Sequence, residues 1–175
     1  YERDGKMYTR VKGKKTGTPS AAQVEVNGTF SRLSSDWKSA GPLMNMSWTK
    51  KSEKSKSRGY NLYMKTNFKN EREGKAVELF ASTGVISSPA FTAAPGASGE
   101  ILCTYTIPPE ENGRFIHFFV KKRVNGVSDG TFARFSAAGG SSSPLSLTNL
   151  EPGTEYFIYA VLTENQYQDE AEVSA

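Results

Sequence analysis

Two segments in the second half of the chain are apolar on both faces if they are read as β-strands. Successive residues of a strand point to opposite sides of the sheet. One side of the first strand carries Ile116, Phe118 and Val120, and its outer side carries Phe115, His117 and Phe119. The second strand divides into Tyr156, Ile158, Ala160 and Leu162 on one side and Phe157, Tyr159 and Val161 on the other. Both sides need a cover, because large exposed apolar patches are uncommon on soluble monomers.

Shorter alternating segments surround these two strands and predict an antiparallel β-sandwich over residues 88–175. In one of them a single face carries Ile101, Cys103, Tyr105 and Ile107. A long strand over Arg114–Val124 is followed by Asn125 and Gly126, a strong signal for a hairpin turn. The remaining predicted strands are Thr131–Ala137, Leu145–Leu150, Glu155–Thr163 and a short last strand over Glu170–Ala175.

The first 75 residues are predicted to be basic and mainly helical. Apolar residues recur there at helical spacing, on one side of a first helix. These residues are Ala22, Val26, Phe30, Leu33 and Trp37. Pro19 suits the first helical position, and Ser20 with Gln23 has the spacing of a capping box. The helix is predicted to end at Ser39–Pro42.

Two further elements are predicted in this basic segment. Pro42 opens a short turn that carries Leu43, Met46 and Trp48. A helix over Ser57–Lys69 follows a polar loop at 50–58, and Met7–Val11 is a short strand or an extended arm. These patterns predict an α+β fold with a helical segment at 1–75, a linker at 76–87 and a sandwich at 88–175.

Positive charge is concentrated in the first part of the chain. Residues 1–74 contain 16 Lys and Arg against 7 Asp and Glu, whereas residues 75–175 contain 6 against 11. The densest basic patch consists of Lys50, Lys51, Lys54, Lys56 and Arg58. Such a patch could follow nucleic-acid phosphates, although no motif for reading a groove accompanies it. Nucleic-acid binding is therefore one alternative function.

Few residues of the chain suit catalysis or metal binding. The single cysteine, Cys103, lies on the face predicted to be buried, where a thiol packs as a small apolar group. The single histidine, His117, should point away from the sandwich core and lacks a second ligand at useful spacing. The sequence shows no Gly-rich phosphate loop and no apolar stretch that could span a bilayer. We therefore predict no enzyme, no cofactor, no metal site and no membrane span.

The residues from 147 to 161 resemble the E–F corner of a fibronectin type III domain. The resemblance rests on Leu150, Pro152, Gly153 and Tyr156. It implies that Pro152 and Gly153 turn the chain between two sheets. It also implies that Tyr156 buries its ring while its hydroxyl bonds upstream backbone, as in a tyrosine corner. The whole of 88–175 would then be an immunoglobulin-like sandwich.

In a fibronectin-like topology the two doubly apolar strands are neighbours in one sheet, so their outer residues form one patch. That patch consists of Phe115, His117, Phe119, Phe157, Tyr159 and Val161. Either the N-terminal helices or another chain could cover it. We expect the helices to do so, because they are tethered nearby and carry apolar residues that need burial. The covering residues would be Phe30, Leu33, Trp37, Tyr60, Met64 and Phe68.

The upstream segment is similar to an uncharacterised bacterial family found mainly in Bacteroidetes and their relatives. The likeness rests on residues 18–23, on a helix that ends near Asp36 and Trp37, on Trp48, and on residues 58–63. That family pairs such a region with a sandwich, so the likeness implies the architecture of the whole chain. It implies no activity.

The resemblance to fibronectin domains implies a non-catalytic interaction or structural module. Such sandwiches act mostly by displaying loops and sheet edges, so the expected partner is a protein and a cell-surface or extracellular location is favoured. Nucleic-acid binding by the basic segment is the first alternative. Carbohydrate binding by Phe157 and Tyr159 is the second, and it requires both rings to remain in solvent. The oligomeric state stays open.

Overall fold

The computed structural model describes residues 2–3, 6–7, 17–53, 55, 57–83, 86–111, 113–125, 127–138 and 143–164. Its first part contains a small hairpin of β1 (Glu2–Arg3) and β2 (Lys6–Met7), followed by the helices α1 (Ala21–Ser39), α2 (Gly41–Ser52) and α3 (Gly59–Arg72). The strands that follow are β3 (Ile86–Ser87), β4 (Ala90–Pro95), β5 (Ile101–Thr106), β6 (Phe115–Val124), β7 (Val127–Ala138), β8 (Leu145–Leu147) and β9 (Glu155–Thr163). The α+β class is confirmed. None of the described helices is both long and apolar enough to cross a lipid bilayer.

Helix α1 begins as the capping box predicts. The backbone N–H of Gln23 donates to Ser20 Oγ at 3.3 Å, and the backbone N–H of Ser20 donates to Gln23 Oε1 at 2.9 Å. These two bonds satisfy backbone donors that the first turn of a helix leaves unpaired. Pro19 lies one residue before the cap, so its predicted place as the first helical residue is wrong.

Helix α2 is longer than the sequence indicates. Gly41 begins it directly after the cap of α1, and its φ of +73° allows the chain to change direction between the two helices. Pro42 occupies the first turn, where its missing N–H costs nothing. The helix continues to Ser52, so the first residues of the predicted basic loop are helical.

Helix α3 packs closely against α2 at its first residue, Gly59. A Cβ atom at this position would lie 2.8 Å from the backbone nitrogen of Thr49 and 3.0 Å from the carbonyl carbon of Trp48. Only glycine fits such a close approach of two backbones. The position of α3 therefore depends on the absence of a side chain at its N-terminus.

Replacing Gly59 with alanine should lower the free energy of unfolding by about 1–3 kcal/mol, because overpacking forces the two helices apart. Gly28→Ala is the matched control, since Gly28 lies inside α1 and a Cβ there meets nothing within 4 Å. Alanine is the better helix former, so the control should gain about 0.5–1 kcal/mol. Urea unfolding measures both variants. Equal effects would contradict the close contact.

The larger strands form two antiparallel sheets, with the orders β3-β9-β6-β7 and β4-β5-β8. Val124 pairs with Val127, which confirms the predicted hairpin turn. Because pairing starts at the turn, the return strand begins at Val127 rather than Thr131 and, with 12 residues, exceeds β6. The strand predicted over Leu145–Leu150 ends at Leu147. The predicted strand Glu170–Ala175 lies outside the described residues.

The two sheets share one apolar core. Cys103 and Tyr105 of one sheet pack with Phe118 and Leu162 of the other, and all four are buried. The sides of β5, β6 and β9 that the alternation places inward are the sides in this core. The alternation of side chains along each strand therefore predicts these inner faces correctly.

The segment predicted to be a linker is packed into the protein. Leu79, Phe80 and Ala81 are buried among helical side chains. The indole nitrogen of Trp48 donates to the Leu79 carbonyl at 3.0 Å, and the Ala81 amide donates to Ser47 Oγ at 3.3 Å. These bonds satisfy backbone groups that would otherwise be unpaired in the interior. The middle of the predicted linker, Leu79–Ala81, is therefore part of a core rather than exposed to solvent.

Candidate functional site

The outer face of β6 and β9 is the predicted apolar patch, and the structure brings its residues together. His117 lies opposite Val161 and Phe119 lies opposite Tyr159 in the β6–β9 register. His117, Phe119 and Val161 are buried, while Phe115, Phe157 and Tyr159 are half-buried. The first three are therefore not open to a partner.

The helices cover this face. Leu33, Met44, Trp48, Tyr63 and Met64 share one buried cluster with Phe119 and Val161. The Phe80 ring adds to it, with its centroid 4.7 Å from that of Phe119. Of the six covering residues predicted from sequence, Leu33 and Met64 are buried, and Trp37, Tyr60 and Phe68 are partly buried. Phe30 is exposed, so its predicted role as a cover is wrong.

A buried ion pair joins the helices to the sheet. Asp36 of α1 and Lys121 of β6 are 3% and 2% exposed, and Lys121 Nζ donates to Asp36 Oδ1. The ammonium also lies 5.1 Å from the centroid of the Phe132 ring. Burial raises the pKa of Asp36, and the bond to Lys121 and its charge oppose that rise. Sequence reasoning missed this pair, because a lysine near a strand end normally points into water.

His117 has a structural place in the outer face. Its Nδ1 lies 2.6 Å from Ser136 Oγ on β7, and its Nε2 lies 2.9 Å from Thr163 Oγ1 on β9. The ring thereby links both neighbours of β6. Cys103 is buried in the inner core, and burial raises the pKa of its thiol to about 11. A thiol that holds its proton at neutral pH is a poor nucleophile.

A cleft opens where the helices meet β9, and we call it the helix–sheet cleft. Its volume is ≈ 520 Å³, and its lining consists of Arg32, Asp36, Glu71, the segment 74–77, Phe157, Ile158 and Tyr159. Arg32 on α1 and Glu71 on α3 form an ion pair across it. Burial raises the pKa of Tyr159 to about 12. The cleft thus combines an apolar wall with several charged groups.

Tyr63 contributes a buried hydroxyl near this cleft. The residue is fully buried, and its hydroxyl has no hydrogen-bond partner among the described residues. Burial raises the pKa of Tyr63, and the charge of Asp36 is the next largest cause. The hydroxyl therefore lies within electrostatic reach of a residue that lines the cleft.

The first half of α1 exposes apolar side chains. Val24, Val26 and Phe30 are 59%, 56% and 49% exposed. The Phe30 ring lies 6.3 Å from the ring of Phe68 on α3, centroid to centroid. We call Ala22, Val26, Phe30 and Phe68 the α1–α3 stripe. Ala22 and Val26 are exposed, because α1 is covered only from its middle onward.

A groove of ≈ 730 Å³ adjoins the α1–α3 stripe. Val26 and Phe68 line its apolar part, and Lys65, Lys69 and Arg72 supply its cations. Lys69 lies 3.8 Å from Glu73. Within the part of the chain that the structure describes, Lys65 and Arg72 form no ion pair. Among the described residues of the lining Glu73 is the one anion, so the groove presents apolar surface beside an excess of positive charge.

The predicted basic patch is largely compensated where it is described. Lys50 pairs with Glu53 at 3.0 Å and Lys51 with Glu78 at 2.9 Å. Arg58 is the exposed residue before α3. Lys54 and Lys56 lie outside the described residues. This geometry weakens the argument for phosphate binding, because paired lysines offer little net charge.

The predicted corner at Tyr156 has the expected hydrogen bond. The Glu151 amide donates to the Tyr156 hydroxyl at 2.8 Å. Gly153 has a φ of +72°, which a turn tolerates best with glycine. Leu150 is buried beside the ring, while Pro152 is exposed. Tyr156 is half-buried, whereas the resemblance implies a buried ring.

The α1–α3 stripe with its groove and the helix–sheet cleft are the candidate functional surfaces. Within the described ranges, no group of three or more His, Cys, Asp and Glu is placed to hold a metal ion. No protein-family model matches the chain, and no curated protein matches it.

Proposed function

We propose that this protein is a non-catalytic interaction module that docks a protein partner on the α1–α3 stripe. The single observation that carries the proposal is the exposure of Val26 and Phe30 beside Phe68. Keeping an apolar helix face in water is unfavourable, at a cost of about 25 cal/mol for each Å² of exposed apolar area. Contiguous patches of this kind commonly mark interaction sites.

The charges beside the stripe favour an acidic amphipathic helix as the partner. Such a helix lays its apolar face into a groove through residues at i, i+3, i+4 and i+7. Lys65 and Arg72 line the groove beside Phe68 and form no ion pair among the described residues. Acidic residues at the border of the partner's apolar face would complement these cations and speed association.

We also propose that the two-sheet part is a fibronectin type III-like sandwich. Adjacent β6 and β9 and the hydroxyl bond of Tyr156 support this assignment. Tyr105, in place of the usual tryptophan of the family, packs 5.9 Å from Phe118 between ring centroids. Such a sandwich would serve as the scaffold that holds the helices, which agrees with a structural or interaction role.

Two designed amphipathic peptides test the docking proposal. They share one apolar face and differ only in acidic or basic flanks. We expect the acidic peptide to bind at least about tenfold more tightly than the basic one. The double substitution Val26→Ser with Phe30→Ser should lower the affinity for the acidic peptide by at least about tenfold. Thr92→Ser, at an exposed residue of β4, is the control substitution. Fluorescence anisotropy reports the affinities, and circular dichroism checks folding.

Equal affinity for both peptides, or binding that survives the double substitution, would contradict the proposal. A labelled DNA duplex in the same assay tests the nucleic-acid alternative. Binding of the duplex that falls steeply with salt and ignores the serine substitutions would favour that alternative, because phosphate contacts depend on cations rather than on apolar side chains.

A further inference from the structure

We propose that the helix–sheet cleft is a binding site for a neutral polyhydroxylated ring, the chemical class of a sugar residue. The cleft lies between α1, the end of α3 and β9, away from the α1–α3 stripe. Its ≈ 520 Å³ lies within the range of small-molecule sites, which is about 300–1,000 Å³. This inference is independent of the docking proposal.

The charges of the cleft favour a neutral ligand. Its cations are Arg32 and Lys75, and its anions are Asp36 and Glu71. Arg32 is paired with Glu71, and Asp36 is paired with Lys121. Lys75 is paired with Glu73 at 2.6 Å. A charged ligand would have to break one of these pairs, which is costly for a buried one. A neutral ligand leaves the pairs intact.

The polar groups of the cleft suit hydroxyl groups in particular. A guanidinium only donates hydrogen bonds and an ionised carboxylate only accepts them, whereas a hydroxyl does both. A ring with several hydroxyls can therefore accept from Arg32 and donate to Glu71 at the same time. The Tyr159 phenol is protonated at neutral pH, because even the ordinary pKa of tyrosine is about 10 and burial raises the pKa of Tyr159 further. Its hydroxyl can therefore also donate or accept.

The apolar wall suits the C–H face of a ring. Phe157, Tyr159 and Val77 are half-buried where they line the cleft. Aromatic side chains with one end apolar and the other end polar are frequent in binding sites. The two rings are also the residues on which the sequence-based carbohydrate alternative depends. The structure half-covers both rings, so the fully exposed arrangement that this alternative requires is not met. The proposed site is instead the cleft, where charged groups surround the rings.

Saturation-transfer NMR with the full chain tests this site. The probes are glucose, galactose, mannose and N-acetylglucosamine, with glucuronate and glucosamine as charged analogues. We expect at least one neutral sugar to bind at millimolar concentration, and glucuronate and glucosamine to bind about tenfold more weakly than that sugar. Absence of transfer to every neutral sugar would overturn the proposal, as would tighter binding of the charged analogues.

Three variants locate the site. Phe157→Ala should lower the affinity for the sugar by at least about tenfold. Tyr159→Phe should also lower that affinity, while it keeps the ring that packs against the helices. Phe30→Ser is the control, because Phe30 belongs to the α1–α3 stripe and should leave sugar binding unchanged. Thermal unfolding by circular dichroism confirms that each variant is folded. Sugar binding that survives both cleft substitutions would overturn the proposal.

Discussion

Asp36→Asn should lower the free energy of unfolding by about 3–5 kcal/mol, because it leaves the Lys121 ammonium buried without its counter-charge. Both side chains are almost completely covered, with 2% and 4% of their area exposed. Urea unfolding, followed by tryptophan fluorescence, measures the change.

Two controls separate the cost of leaving one buried charge unpaired from the net contribution of the ion pair to stability. Replacing both residues, as Asp36→Leu with Lys121→Met, should recover most of the stability, because apolar pairs of similar volume often match a buried ion pair. Glu78→Gln breaks the Lys51–Glu78 pair, whose side chains are more than a third exposed. That substitution should cost less than about 1 kcal/mol. A similar small cost for Asp36→Asn would show that the pair is not buried.

Phe119→Ala should destabilise the protein about as much as Phe118→Ala, each by about 3–5 kcal/mol. The two residues are adjacent on β6 and point to opposite faces. Phe118 packs between the sheets, whereas Phe119 packs against the helices and against Phe80. Both truncations leave a cavity in a dense core, so both should be costly.

The comparison of these two variants tests whether the helices cover the sheet in solution. Without the helices Phe119 would face water, and its truncation would cost little. Phe30→Ala is the reference for an exposed ring and should change the free energy of unfolding by less than about 1 kcal/mol. Equilibrium urea unfolding gives all three values. A Phe119 value close to that of Phe30 would contradict the packed arrangement.

The faces of the strands could be predicted from the sequence, and the extent of the helix cover could not. The inward positions of Phe118 and Leu162 follow from alternation, which is a local property of extended backbone. The apolar side of α1 also follows a local period, that of the helix. Its spacing nevertheless gave no sign that Leu33 is buried while Val26 stays exposed, because that depends on where α3 ends beside α1.

The candidate sites were predicted only in part. Phe157 and Tyr159 were identified by their outer position, and they line the helix–sheet cleft. Arg32, Asp36 and Glu71 were not identified, because no local pattern distinguishes a buried charge from an exposed one. Spacing around Glu71 on its helix contains no information about the arginine 39 positions earlier that pairs with it.

Local sequence specifies the helix cap at Ser20, the hairpin turn at Asn125 and the two apolar sides of β6. Each depends on residues within a few positions of one another, where backbone geometry decides the outcome. The layer that covers Phe119 and the pairing of Asp36 with Lys121, 85 residues apart, follow instead from the packing of helices on the sheet. Burial and charge pairing depend on parts of the chain that folding brings together, so local periodicity cannot specify them.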